Sequence, residues 1–268
     1  MPSAMPEYEV YALRYAHAAQ SSIRTFLLPP PNAHDSPVPM DFYVWAIRSD
    51  KHTIVVDTGF KAEVGRRRRP EWKVLQTPDA ALKQIDIDAA TARDVVISHL
   101  DWDHSGNTAL FPKATLHIQD AEVAFRTGRH MTHPFFAMRA EIDDVLTTVR
   151  DVYAGRVRFH DGTGEIAPGV TLHLVGGHTA GMQVVRVPTA RGWVVLASDA
   201  AHYWANMRQR HPFPIVLDVG KMLEGFRLME QLADGPDHII PGHDPEVMQR
   251  FPAVSGAPDI VRLDRKPG

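Results

Sequence analysis

Apolar residues in this chain fall mainly into short β-branched runs closed by Gly, Pro, Asp or Asn, which is the pattern of strands. Ten such runs cover 8–16, 42–50, 52–60, 94–100, 114–120, 157–161, 170–177, 182–190, 192–200 and 238–244. Helical periodicity appears between them, in "TPDAALKQI" from Thr77, across 120–150, and in "VGKMLEGFRLMEQLA" from Val219. In the last of these, Met222, Leu223, Phe226, Met229 and Leu232 recur at helical spacing and predict a face packed on a core. Hairpin-like pairs followed by strands mixed with helices predict an α/β fold, a four-layer αββα sandwich of two β-sheets with helices outside. No internal repeat and no Ser/Gly-rich linker divides the chain, so a single domain over 1–268 is expected. The Pro-rich stretch 27–41 reads as a surface loop. Residues 121–155, carrying "RHMTHPFFAMRAEI", read as a helical insertion that roofs a pocket.

Composition narrows the chemistry. The 268 residues carry a formal net charge of −3, which gives no overall attraction to nucleic acid. The basic run "GRRRRP" at 66–69 has no aromatic residues alternating with it and reads as solvated loop. There are no cysteines, which excludes disulfides, thiolate metal sites, iron–sulfur clusters and a cysteine nucleophile. Nowhere do 18 apolar residues run together, and the N-terminus lacks a basic region followed by an apolar core, so a cytoplasmic protein without a membrane partner is expected.

The densest polar chemistry is "VVISHLDWDHSGN" at 95–107. His99, Asp101, Asp103 and His104 lie at the end of a predicted strand and in the loop after it. Alternation puts His99 and Asp101 on one side while Asp103 and His104 can turn to a second point nearby, giving two adjacent cation sites. Downstream, "GGHTAG" ends one strand with His178, "LASDAAH" another with Asp199, and "IIPGHD" a third with His243. Gathering several carboxylates without counter-charge is costly unless metal neutralises them. Seven N and O donors at strand ends therefore point to a metal centre.

With these motifs in this order, the chain resembles the metallo-β-lactamase-fold hydrolases, and most closely the N-acyl-homoserine lactonase branch, over roughly residues 43–244. "VVDTGF" matches the early strand whose aspartate, here Asp57, supports the metal ligands from behind. "HLDWDHSGN" matches HxHxDH, "GGHTAG" the third histidine, "SDA" the bridging aspartate and "PGH" the last histidine. The resemblance implies two mixed sheets and two divalent ions, zinc by preference. His99, Asp101 and His178 would hold one ion, Asp103, His104 and His243 the other, and Asp199 would bridge them. It also implies opening of a lactone by a hydroxide generated between the cations, so the expected partner is a small-molecule lactone or ester, as in quorum quenching, with a homodimer as the candidate assembly.

Two positions depart from the family pattern. Asp101 stands where the family has histidine, and its hard oxygen shifts preference toward Fe²⁺ or Mn²⁺. His202 occupies the position of a tyrosine that touches the substrate, with Tyr203 beside it; only one of the two can face inward, and the spacing favours His202. Asp103, Asp199, His202 and Tyr203 are thus the candidate catalytic residues. An apolar groove for the acyl chain is expected from Phe26, Leu27, Leu28, Met40, Phe42, Phe135, Phe136 and Met138, walled by Trp102 and Trp204. The alternatives are another carboxylic or phosphoric ester hydrolase of this fold, or a metal-binding variant impaired by Asp101.

Overall fold

The computed structural model describes residues 5–29 and 34–268, and in it the strand runs assemble into two mixed sheets. The first takes β1 (Glu9–Ala18), β2 (Met40–Arg48), β3 (Thr53–Val56), β4 (Lys73–Val74), β5 (Asp94–Val96), β6 (Thr115–Gln119) and β7 (Val157–His160). The second takes β8 (Thr163–Ala167), β9 (Val170–Leu174), β10 (Gln183–Thr189), β11 (Gly192–Ser198) and β12 (Ile239–Pro241). The chain then returns to the first sheet with β13 (Ala253–Val254) and β14 (Ala257–Arg262). Among the described residues the strand orders are β13-β14-β1-β2-β3-β5-β6-β7, with β4 on β1, and β12-β11-β10-β9-β8. Pairing is parallel from β3 through β5 and β6 to β7, and between β11 and β12; the remaining neighbours are antiparallel.

Period-two alternation divides each central strand between two cores. In β2, Tyr43, Trp45 and Ile47 point between the sheets, where they meet Val185, Val187, Val194, Leu196 and Ile240. Phe42, Val44 and Ala46 point the other way, onto the outer layer that contains α1 (Ala62–Arg68) and α2 (Pro78–Lys83) through Val64, Ala81 and Leu82. A strand buried on both faces shows a nearly continuous apolar run, as β2 does.

Helices α3 (Asp120–Thr127), α4 (Pro134–Ala137) and α5 (Ile142–Tyr153) connect β6 to β7. Parallel neighbours need such a crossover, which accounts for the helical stretch read at 121–155. The second sheet is covered on its outer face by α6 (Trp204–Gln209) and α7 (Val219–Leu232), where Met207, Met222, Phe226 and Met229 pack on Val184, Val195 and Ala197. The last helix, α8 (Glu246–Arg250), follows β12.

The basic run at 66–69 is not simply loop, because its first three arginines complete α1. Arginine is a good helix former, and Val64 and Gly65 give the helix a buried side. Strands β4, β8, β13 and β14 escaped the sequence reading because they are two residues long or carry Gly, Pro and acidic residues. No helix is long and apolar enough to cross a membrane, among the described residues.

Candidate metal centre

The polar residues picked out by sequence meet along one edge of the sandwich, beyond the carboxyl ends of β3, β5, β9, β11 and β12. Asp57 follows β3; His99, Asp101, Asp103 and His104 follow β5; His178 lies between β9 and β10; Asp199 and His202 follow β11; His243 follows β12. Parallel pairs point their carboxyl ends the same way, so β3 with β5 and β11 with β12 deliver their loops to a common edge. The backbone bends sharply to do this. Asp57 and Ser198, neither of them glycine, sit at φ of 62° and 45°, conformations kept only where surrounding structure enforces them. Gly242 is required for contact: a Cβ there would lie 2.7 Å from the Ser198 carbonyl and 2.9 Å from Asp199 Oδ1.

Asp199 is at the middle. Its Oδ1 lies 3.2 Å from His104 Nε2 and 2.9 Å from His243 Nε2, and its Oδ2 lies 3.7 Å from His99 Nε2 and 3.4 Å from His178 Nε2. Asp101 Oδ2 is 3.4 Å from His178 Nε2, and Asp103 Oδ2 is 3.7 Å from His104 Nε2. His99, Asp101 and His178 form one compact donor group, and Asp103, His104 and His243 form another. The aspartate at 101, despite its short side chain, therefore reaches the first group.

The opposite nitrogen of each imidazole is held. His104 Nδ1 is 2.8 Å from Asp57 Oδ2, His99 Nδ1 is 2.9 Å from Ser98 Oγ, and His178 and His243 Nδ1 are each 2.8 Å from a carbonyl, of Ile215 and Asp41 respectively. Asp57 also accepts from the Ser98 amide and hydroxyl. That pattern fixes which nitrogen faces inward, as around a bound metal. The inward Nε2 atoms of His99, His104 and His178 are buried with no hydrogen-bond partner among the described residues. Buried polar atoms are rarely left so, and a divalent cation between these donors would satisfy them together. Burial and neighbouring His104 bring His99 well below the usual histidine pKa and burial lowers His178, whereas Asp199, Asp103 and Asp57 raise His104 against its burial. Burial opposes charge on Asp199, yet His202, His104 and His243 draw its carboxyl well below the ordinary range. The residues present thus fit two divalent ions.

Two buried residues that sequence reasoning missed brace this arrangement. Arg126 on α3 forms an ion pair with Asp101, so the extra carboxylate has its own counter-charge. Glu122, one turn earlier, accepts from the Leu100 amide at 2.9 Å, the Thr179 hydroxyl at 2.5 Å and the Gly181 amide at 3.1 Å. It ties the loop of His99 and Asp101 to the loop of His178. The only local hint was their helical i, i+4 spacing, which many solvent-exposed pairs share.

The remaining expected residues divide between the site and the core. His202 faces inward with Nε2 3.1 Å from Asp199 Oδ2, and its ring stacks on Phe213 at 3.8 Å. Tyr203 points away: its hydroxyl donates to the Pro39 carbonyl at 3.2 Å and its ring packs in the core. Trp204 is also buried away from the site, its indole donating to the Ile239 carbonyl at 2.7 Å. The centre opens into a cavity of about 130 Å³ walled by Gln20, Met40, Arg69, Trp72, Trp102, Arg139, Phe213 and Ile215. Trp102 is on that wall, but Phe42 lies behind it, 4.4 Å from the Trp72 ring and 4.9 Å from the His243 ring. Phe135 and Phe136 line a narrow adjoining crevice with Arg126 and His178, and Asp101, Arg139 and Ile215 border both spaces. Met138 is exposed. Neither Phe26, Leu27 nor Leu28 lines the cavity, and the stretch 30–33 of the Pro-rich loop lies outside the described residues. The apolar groove expected from these side chains is replaced by an aromatic wall with arginines at its mouth.

Comparison with known proteins bears on the family and the fold. Residues 42–243 match the metallo-beta-lactamase superfamily model. A probable metallo-hydrolase of Mycobacterium tuberculosis is 26% identical over 251 residues, 83% of this chain and 76% of that protein. The N-acyl homoserine lactonase AttM of Azorhizobium caulinodans is 26% identical over 255 residues, 84% of this chain and 89% of that protein. In structure, an N-acyl homoserine lactone hydrolase with N-hexanoyl-L-homoserine bound at its catalytic metal center superposes with a TM-score of 0.69 at 19% identity, covering 91% of this chain and 96% of that one. Because the family model spans well over half of its length, the chain belongs to the metallo-beta-lactamase superfamily.

Proposed function

We propose that this protein is a metal-dependent hydrolase that opens a lactone, with Asp199 and His202 beside the reacting bond. The observation that carries this reading is the convergence of buried, outwardly pinned imidazoles and carboxylates around Asp199, at the floor of a small cavity. Divalent ions held by His99, Asp101 and His178, by Asp103, His104 and His243, and by Asp199 between them would supply a nucleophilic water at neutral pH and polarise the carbonyl. The lactonase relatives favour a cyclic ester, and a tethered leaving alkoxide makes modest demands on a proton donor.

The chain's own groups suit that task. Asp199, ionised and facing the cavity, can accept a hydrogen bond from the attacking water and orient it. Burial pushes His202 down to about 3 against the pull of Asp199, and its Nε2, 3.1 Å from Asp199 Oδ2, can donate to that carboxylate and orient it. Trp102, Met40 and Ile215 give the cavity an apolar side. The test is acid release from a panel of lactones, with a phosphodiester beside them, by protein loaded separately with Zn²⁺, Mn²⁺, Co²⁺ or Fe²⁺. Metal-dependent lactone opening that is lost in Asp199→Asn is expected. Turnover of the phosphodiester alone, or lactone turnover that survives in Asp199→Asn, overturns the reading.

A further inference from the structure

Two arginines at the cavity mouth stand without an acidic partner. Arg69 and Arg139 both line the cavity above the candidate metal centre, beside Trp72 and Trp102. Nearby Arg67 and Arg68 reach Glu141 at 2.6 and 3.8 Å, and Arg126 pairs with Asp101. Among the described residues, no carboxylate lies within 4.0 Å of Arg69 or Arg139. Arg139 is the more telling of the two, since it is half-buried and its Nε is enclosed with no hydrogen-bond partner. The carboxylates whose field it feels, Asp103 and Asp199, are the ones assigned to metal.

The backbone that carries Arg139 is fixed in place. Its carbonyl accepts from the Trp102 amide at 3.0 Å, which ties it to the loop of Asp101 and Asp103. Arg68 grips the carbonyls on either side, of Met138 at 3.0 Å and Ala140 at 3.1 Å. At the rim, the Arg69 guanidinium lies 5.7 Å over the Trp72 ring, which stacks on Trp102 at 5.3 Å. A half-buried cation whose enclosed Nε has no partner suits a site whose ligand brings the missing charge.

We infer that the substrate carries an anionic group, a carboxylate or a phosphate, away from the bond that is cut, and that Arg139 receives it with Arg69 at the rim. This rests on the hydrolase reading above and narrows its substrate class. The guanidinium fork matches planar carboxylate and tetrahedral phosphate oxygens, whereas an uncharged acyl chain would leave Arg139 unpaired. Arg69, more exposed, contributes chiefly by attracting the anion.

Two arms test the inference. In the first, metal-loaded enzyme is given a butyrolactone bearing a carboxylate against its methyl ester, and a hydroxymethyl butyrolactone against its phosphate. A kcat/KM ratio favouring an anionic member by roughly tenfold to hundredfold is expected, and whichever pair shows it identifies the charge. The ratio should collapse in Arg139→Gln, shrink in the exposed Arg69→Gln, and persist in Arg66→Gln on the solvent side of α1. In the second arm, titration calorimetry measures benzenesulfonate, a weak metal ligand, against neutral methyl phenyl sulfone on the metal-loaded protein. Binding of the sulfonate alone, weakened about tenfold or more in Arg139→Gln, is expected. Indifference to charge in the first arm, or sulfonate binding absent or insensitive to Arg139→Gln in the second, overturns the inference. Sulfonate binding that depends on Arg139 in a protein that opens no lactone would instead sink the lactone reading and leave the anion site standing.

Discussion

Asp101 serves two partners, because one carboxylate oxygen faces His178 at 3.4 Å while the other meets Arg126. Histidine in its place would need no such cation. Replacing one member alone therefore strands a buried charge: Arg126→Met or Asp101→His is expected to cost about 3–5 kcal/mol, read as a drop in urea midpoint. The double variant removes both charges and should recover most of that loss; a strictly additive double variant would show that the two do not interact. At 202 and 203 the side chains divide the work clearly. Tyr203→Phe forfeits one hydrogen bond, worth about 1 kcal/mol, and should leave lactone turnover as it was, whereas His202→Phe should lower it roughly 10- to 100-fold. Equal effects at both positions would contradict the orientation seen here. The identity of the donors was legible in the sequence because each ends an apolar run; Arg126 was not, since nothing local connects it to a residue 25 positions earlier.

Helix α3 acts as a clamp between loops of different sheets. Glu122 has two carboxylate oxygens for the Leu100, Thr179 and Gly181 donors, and its burial raises its pKa despite them. Glu122→Gln turns an NH₂ toward one of those donors. A stability loss of about 1–3 kcal/mol is expected, together with metal affinity about 10- to 100-fold weaker, measured by competition with a chromophoric chelator. Unchanged affinity would mean that the two loops hold their places without the clamp. The same scale explains why α1 escaped notice. An arginine-rich heptad has no visible apolar stripe, yet Val64 and the close packing of Gly65 against the Phe60 ring suffice to anchor it. Once α1 is formed, its end carries Arg69 to the cavity mouth, where a loop reading would not have put it.

For the whole molecule, the edge where both sheets deliver their acids and imidazoles is a region of concentrated charge and unpaired donors that metal should relieve. At free metal about a hundredfold above its Kd, stabilisation of about 2.7 kcal/mol is expected, a rise in Tm of roughly 5–10 °C for a chain of this size. EDTA should reverse it, and Asp199→Asn should abolish most of the difference; a Tm indifferent to metal would argue against a metal centre altogether. The sequence by itself determined ten of the fourteen strands described, because alternation and β-branched runs are local properties. It also determined the donor types and their order, since ligands must sit at strand ends to share an edge. Only the tertiary structure decided which of His202 and Tyr203 turns inward, that Phe42 and Trp204 belong to the core, and that Arg126, Glu122, Arg69 and Arg139 surround the centre. Those outcomes depend on how separate elements pack against one another, and spacing along the chain carries no record of contacts made across it.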